Sequence, residues 1–197
     1  QIEIIAGNLA LPEAAKDLIE AGAGAIKVGI GPGSMCTTRI ITGAGVPQLT
    51  AIALCAEVAD GYGVPVIADG GIKTSGDIVK AFAAGASTVM LGGMLAGTLE
   101  TPGELKKGRK QYRGMASKAA QVSWRGGVPE GMAAEGESTM VNIKGHVKDV
   151  ILEITGGIRS GMSYINATTI AEIRQNALFM EMSSNGISES RAHGVLG

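Results

Sequence analysis

Short apolar runs alternate with amphipathic stretches along the first half of the chain. Ile2–Ala6, Ala25–Ile30, Pro65–Ala68 and Thr88–Leu91 are the apolar runs, and Gly, Asn or Asp closes each. Helical spacing follows three of them, over Pro12–Ala21, Leu49–Gly61 and Ser75–Ala84. Pro12 suits a first helical position, and Thr74 or Ser75 suits an N-cap with Asp77 in the first turn. Strands alternating with helices predict parallel βα units. The strand starts, at 2, 25, 65 and 88, lie 23, 40 and 23 residues apart, and the long middle interval holds an extra loop, Gly31–Pro47.

The pattern changes after Gly92. Residues 97–145 are rich in Gly, Lys, Glu and Ser without a clear period, which predicts a lid or a disordered segment. Val147–Ile154 reads as a helix closed by Gly156-Gly157, Thr168–Ala177 as another, Phe179–Met182 as a short strand and Ser183–Gly197 as a mobile tail. A closed (β/α)8 barrel needs roughly 250 residues and eight strands. Four units in 197 residues therefore make either half of a barrel or a small open sheet. The chain opens at Gln1 directly into an apolar run, an opening that implies further protein upstream.

Composition narrows the function classes. Seventeen basic and eighteen acidic residues give a net charge of −1, and aromatic residues are 3%, so neither bulk charge nor stacking points to nucleic acid. No apolar run reaches the ~18 residues of a membrane span. Mean hydropathy is +0.24, against disorder. Two cysteines, Cys36 and Cys55, suit a reducing cytoplasm better than a disulfide scaffold. Glycine is the outlier, at 31 residues, and the glycines cluster at strand ends where a backbone can approach a ligand.

Those strand ends carry the candidate chemistry, because parallel α/β architectures bind ligands there. Gly29-Ile30-Gly31-Pro32-Gly33-Ser34 is a poor dinucleotide fingerprint: the third Gly is misplaced, Pro32 interrupts, and Ser34–Thr42 does not look helical. It is either a loop presenting its backbone to a ligand or ion, or a tight turn. Cys36 sits in that loop near Arg39, where a thiol pKa can fall and make a nucleophile. Cys55 reads as core. His146 and His193 read as isolated surface residues, so acid–base work falls to Thr, Glu, Asp or Arg. Asp69-Gly70-Gly71 offers a carboxylate for ribose, and the pairs Gly70-Gly71 and Gly92-Gly93 offer either phosphate contacts or plain strand-to-helix turns. Lys106–Lys110 reads as a solvated turn.

Five segments carry a resemblance: residues 29–39, Val66–Ile72, Val89–Met94, Tyr112–Ser117 and Gly156–Met162. In this order they resemble the IMP dehydrogenase/GMP reductase family. The resemblance implies a (β/α)8 barrel of which residues 1–197 are the C-terminal half, strands five to eight, with 97–145 as an active-site flap. It implies a homotetramer, an NADPH or NAD cofactor, a monovalent cation such as K+, and GMP or IMP as substrate.

By the same resemblance, Cys36 is the nucleophile and Thr38 and Glu135 are its catalytic partners. Ser34, Asp69, Gly70, Gly71, Gly92, Gly93, Gly114, Met115, Ala116, Met132, Glu135 and Gly136 surround the nucleotide. Gly29, Ile30, Gly31, Met115, Ser160, Gly161 and Met162 meet the cofactor, and the carbonyls of Gly31, Gly33 and Cys36 face the cation. Ile40–Gly43, Leu91–Gly97, Ala133–Gly136 and the short stretch from Gly114 to Glu135 resemble reductases. Trp124-Arg125 stands where dehydrogenases carry an Arg-Tyr pair. Val128–Gly131, Arg159–Met162 and Asn185–Ser190 resemble dehydrogenases, and Met132 replaces an arginine usual in reductases. The expected activity is therefore GMP reduction, with IMP oxidation as the alternative. A half-barrel that binds purine nucleotides without catalysis is a third reading, motivated by the absent strands and the two raw sheet edges a half-barrel would expose.

Overall fold

A computed structural model describes residues 2–192. Its first half is a four-stranded parallel sheet in the order β1 (Ile5–Leu9), β2 (Ala25–Val28), β3 (Val66–Asp69), β4 (Thr88–Met90). Helices α1 (Pro12–Glu20), α3 (Gln48–Tyr62) and α4 (Ser75–Ala83) connect the strands. Sequential order, parallel pairing and a helix in each crossover make this one half of a (β/α)8 barrel.

The strand alternation sets two faces. Ile26, Val28, Val66 and Ala68 are buried in a core with Ala15 and Ile19 of α1, Ala51, Ile52, Cys55 and Ala59 of α3, and Ile78 and Phe82 of α4. Lys27 and Asp69 alternate with these core positions and so point to the opposite face. Each buried Ile or Phe is worth roughly 2–5 kcal/mol against truncation to Ala. Thr74 closes the start of α4 as expected: its hydroxyl accepts from the Asp77 amide at 3.2 Å while Asp77 Oδ2 accepts from the Thr74 amide at 2.9 Å.

Several expectations are corrected. The first strand begins at Ile5, not Ile2, because its register with β2 starts at Ile5↔Ala25. Thr38–Thr42 forms a short helix, α2, stopped by Gly43 at φ +73°. Residues 97–145 are structured: β5 (Arg109–Arg113) and β6 (Ser138–Asn142) pair antiparallel, with α5 (Lys118–Arg125) between them. Lys110 is not a solvated turn residue. It is buried, and its ammonium donates to the carbonyls of Leu99 at 2.8 Å and Thr101 at 2.6 Å.

Gly156-Gly157 does not end the next helix either. Helix α6 runs through them over Val147–Tyr164. A Cβ on Gly161 would stand 2.8 Å from Val79 Cγ2, and one on Gly157 would collide with Ser75. These glycines let α6 lie close on α4. After α7 (Ile170–Asn176), the segment Phe179–Met182 pairs with no strand and leaves Met180 exposed. The expected tail contains α8 (Ser184–Glu189). His193 lies outside the described residues.

Among the described residues, β1 and β4 each pair on one side only, so the sheet has two free edges. No described helix is long and apolar enough to cross a membrane.

Candidate active site

The cleft lies beyond the C-terminal ends of the strands. The loop after β2 carries Cys36 into it. Gly33 O accepts from the Cys36 amide at 3.0 Å, so the thiol rides on a tight turn. The segment before β6 is sewn to that loop: Thr37 N donates to Glu135 O at 3.0 Å and Glu137 N to Met35 O at 2.8 Å. On its other side, Glu135 N donates to Ala116 O at 3.1 Å. A Cβ on Gly136 would come within 3.0 Å of Ser117 N and 3.1 Å of Met35 O, so a side chain there would push the two loops apart by a few tenths of an ångström.

This stitching brings Glu135 to the cysteine. Cys36 Sγ donates to Thr38 Oγ1 at 3.1 Å, and Thr38 Oγ1 donates to Glu135 Oε2 at 2.7 Å. Thiol, hydroxyl and carboxylate form one continuous path for a proton. The guanidinium of Arg39 is engaged elsewhere, with the carbonyls of Ile30 and Val46, instead of pairing with the thiol. Cys55 is buried, and burial, reinforced by Glu13, pushes its thiol up to about 11. The two thiols are thus separated in kind: one on a proton path at a cleft, one inert in the core.

The cleft around Cys36 is about 270 Å³ and is lined by Gly29, Gly31, Gly33, Ser34, Asp69, Gly70, Gly114, Met115, Ala116 and Glu135 among others. An adjoining cleft of about 130 Å³ continues along Asp69, Gly70 and Gly71 to Gly92 and Gly93. Ser34 Oγ and Tyr112 OH lie 3.1 Å apart over that second cleft, and a Cβ on Gly93 would reach within 3.2 Å of Ser34 Oγ. Two hydroxyls over a bare Gly-Gly backbone are suited to a phosphate-sized anion.

Five expected residues do not meet the cleft. Ser160, Gly161 and Met162 lie on α6, where Gly161 faces Val79 of α4 and Met162 packs against the core. Met132 is 60% exposed and lines neither cleft. The side chain of Ile30 packs against the core and its carbonyl is taken by Arg39, so it offers the cleft little. For a nicotinamide cofactor, Gly29, Gly31 and the exposed Met115 are the residues that fit. For a cation, the Gly33 carbonyl keeps one lone pair beyond its bond to the Cys36 amide.

The sequence reading missed Asn8, Lys27 and Tyr112. The Lys27 ammonium bonds Asn8 Oδ1 at 2.5 Å and is ion-paired with Asp69 Oδ2. Asn8 Nδ2 donates to Asp69 Oδ2 at 3.0 Å and to Gly29 O at 2.9 Å. A lone cation inside the run Ala25–Ile30 was the available signal for Lys27. His146 sits at the surface, as expected, 2.9 Å from Glu100. Glu100 also accepts from the Val147 amide, and this bond, followed by the one to His146, holds its carboxyl below its ordinary range.

A half-barrel with a cysteine loop at its ligand-facing edge defines a class, and comparison with known proteins identifies it. The family model for the IMP dehydrogenase / GMP reductase domain matches residues 1–193, and the chain belongs to that family. It is 50% identical over 207 residues to an inosine-5'-monophosphate dehydrogenase of Nitrosopumilus maritimus, covering 98% of this chain and 44% of that protein. It is 48% identical over 206 residues to a GMP reductase of Leishmania donovani, covering 99% and 42% respectively. A crystal structure of a Trypanosoma brucei GMP reductase variant in complex with guanosine 5'-monophosphate superposes with a TM-score of 0.92 at 49% identity, over 99% of this chain and 42% of that one. The chain therefore spans under half the length of these relatives.

Proposed function

We propose that this chain supplies the thiol-bearing half of an NADPH-dependent GMP reductase, converting GMP to IMP and ammonia. The observation that carries the reading is the path from Cys36 Sγ through Thr38 Oγ1 to Glu135 Oε2. Releasing the 2-amino group needs a proton on nitrogen, and the path places a proton store beside the nucleophile. The thiol proton moves through Thr38 to Glu135, leaving a thiolate. Sγ then bonds to C2 of the purine, and the C2–N3 electron pair moves onto N3. The proton returns through Thr38 to the amino nitrogen, ammonia departs, and the C2–N3 double bond reforms in a covalent thioimidate.

When bound, NADPH supplies the hydride that reduces C2. After that reduction the C2–S bond breaks, Cys36 leaves as thiolate and IMP is released. Asp69 binds the ribose: Asn8 and Lys27 hold Oδ2, which leaves Oδ1 for a ribose hydroxyl. Gly70, Gly71, Gly92, Gly93, Ser34 and Tyr112 receive the phosphate, while Gly114, Met115 and Ala116 face the base. A monovalent cation such as K+ would sit against the carbonyls of Gly31, Gly33 and Cys36. The free edges of β1 and β4 are where further barrel strands complete the domain within a cytoplasmic homotetramer.

A second reading, IMP oxidation to XMP with NAD, is favoured by Val128–Gly131 and Asn185–Ser190, which resemble dehydrogenase segments. Nicotinamide absorbance decides between them in the complete enzyme. GMP with NADPH should lose absorbance at the nicotinamide band. A gain with IMP and NAD, and no loss with GMP, would establish the dehydrogenase instead.

A further inference from the structure

Arg39 lies one residue beyond Thr38 and has no part in the proton path. Its side chain nevertheless holds a specific place. Nη2 donates to Val46 O at 2.6 Å and to Ile30 O at 3.3 Å. Those two carbonyls stand at opposite ends of the loop that carries Cys36. The stem of the side chain passes between two glycines of the same loop. A Cβ on Gly31 would lie 2.5 Å from Arg39 Cγ and 2.8 Å from Nε, and one on Gly45 would lie 2.6 Å and 2.7 Å from the same atoms. Gly31 also adopts φ +83°, a conformation that disfavours other residues.

We propose that Arg39 is a positioning residue: it straps the two ends of the loop together through the slot between Gly31 and Gly45, and so fixes Cys36 and Thr38 against Glu135. This role for Arg39 rests on Cys36 being the nucleophile. Without the strap, the two ends of the loop are no longer tied to each other, and only the main-chain bonds of Met35 and Thr37 to Glu137 and Glu135 hold its middle. The Sγ–Oγ1–Oε2 path is then averaged over several loop positions. The nucleotide contacts at Asp69, Gly92 and Gly93 belong to other strand ends and are left in place. A misplacement on the order of 1 Å at reacting atoms can cost about 10²-fold in rate. Arg39 is solvent-exposed, so the expected loss is smaller, about tenfold.

The test uses the complete enzyme. Arg39→Ala should lower kcat for GMP about tenfold with KM within about twofold, and should speed amide hydrogen exchange across residues 31–46 but not in β3 or α4. Gly45→Ala should mimic it by pushing the side chain out of its slot, and its effect on kcat should shrink in the Arg39→Ala background to the part due to alanine at φ +159°. Unchanged exchange in the loop, or fully additive effects of the two substitutions, would overturn the strap. Activity surviving Cys36→Ala would instead overturn the functional reading, and the exchange data would still judge the strap on their own.

Discussion

The hydroxyl of Thr38 donates to the carboxylate of Glu135 at 2.7 Å across 97 residues of sequence. Thr38 belongs to the loop after β2, and Glu135 to the segment leading into the antiparallel pair β5–β6. Their meeting depends on main-chain bonds from Thr37 and Glu137 across the two segments. Glu135→Gln keeps the shape and removes the proton store. General acid–base groups contribute about 10²–10⁴-fold, so deamination should slow by that order. Hydride transfer should slow less, since it draws no proton from Glu135. Single-turnover kinetics with GMP separates the steps, and deamination at the wild-type rate would leave Glu135 a surface charge.

The two cysteines should respond oppositely to substitution. Cys36→Ala should abolish turnover and leave GMP binding near wild type, because the proposed ribose and phosphate contacts lie elsewhere. Cys55→Ala should leave chemistry intact and change the pH dependence of stability. Burial raises the Cys55 thiol to about 11 from an ordinary 9.0. Above pH 9 the unfolded chain therefore releases a proton that the folded chain keeps, and stability falls as pH rises toward 11. Below pH 9 both states hold the proton and the term vanishes. Urea midpoints between pH 8 and 10.5 should fall more steeply in wild type than in Cys55→Ala, and parallel curves would refute the assignment.

In the proposed site, Lys27 would act on the substrate through Asp69. Its ammonium and the Asn8 amide both hold Oδ2, so the carboxylate is oriented before a ribose arrives. Lys27→Met keeps the stem and deletes the charge. A charge-assisted hydrogen bond contributes about 1.5–3 kcal/mol, discounted here because both side chains are one-quarter exposed. The expected result is a KM for GMP raised about tenfold with kcat changed little. A fall in kcat at constant KM would move Lys27 from ribose orientation to the chemical step.

The four βα units were legible because each strand is an apolar run and each helix repeats at helical spacing, a pattern that burial on one face imposes. The β5–β6 pair was not. Arg109-Lys110-Gln111-Tyr112-Arg113 hides its inward position behind Lys110, a charge that becomes tolerable only once two carbonyls from residues 99 and 101 receive it. The proton path was legible through its resemblance to a family, since nothing in sequence spacing relates residue 38 to residue 135. Lys27 escaped because a charge in a strand acquires meaning only when the neighbouring strand ends in Asp69. Ser160–Met162 lie on α6 apart from the cleft, and there Gly161 and Met162 serve packing.

That packing gives a contrast within one helix. Gly156 and Gly161 both lie inside α6, and replacing either with Ala gains about 1 kcal/mol in helix propensity. They differ in what the new methyl meets. At Gly156 there is no atom within 4 Å, so the gain should survive whole and raise stability by about 1 kcal/mol. At Gly161 the methyl would stand 2.8 Å from Val79 Cγ2 and 3.3 Å from Cγ1. Overpacking costs typically 1–3 kcal/mol, which cancels or exceeds the propensity gain. Chemical denaturation of the two variants should therefore show Gly156→Ala more stable than wild type and Gly161→Ala equal or less stable. In Val79→Ala, where the clashing methyls are gone, Gly161→Ala should recover a stabilising effect. Equal stabilisation by both substitutions in the wild-type background would mean that α6 does not rest on α4 through its glycines.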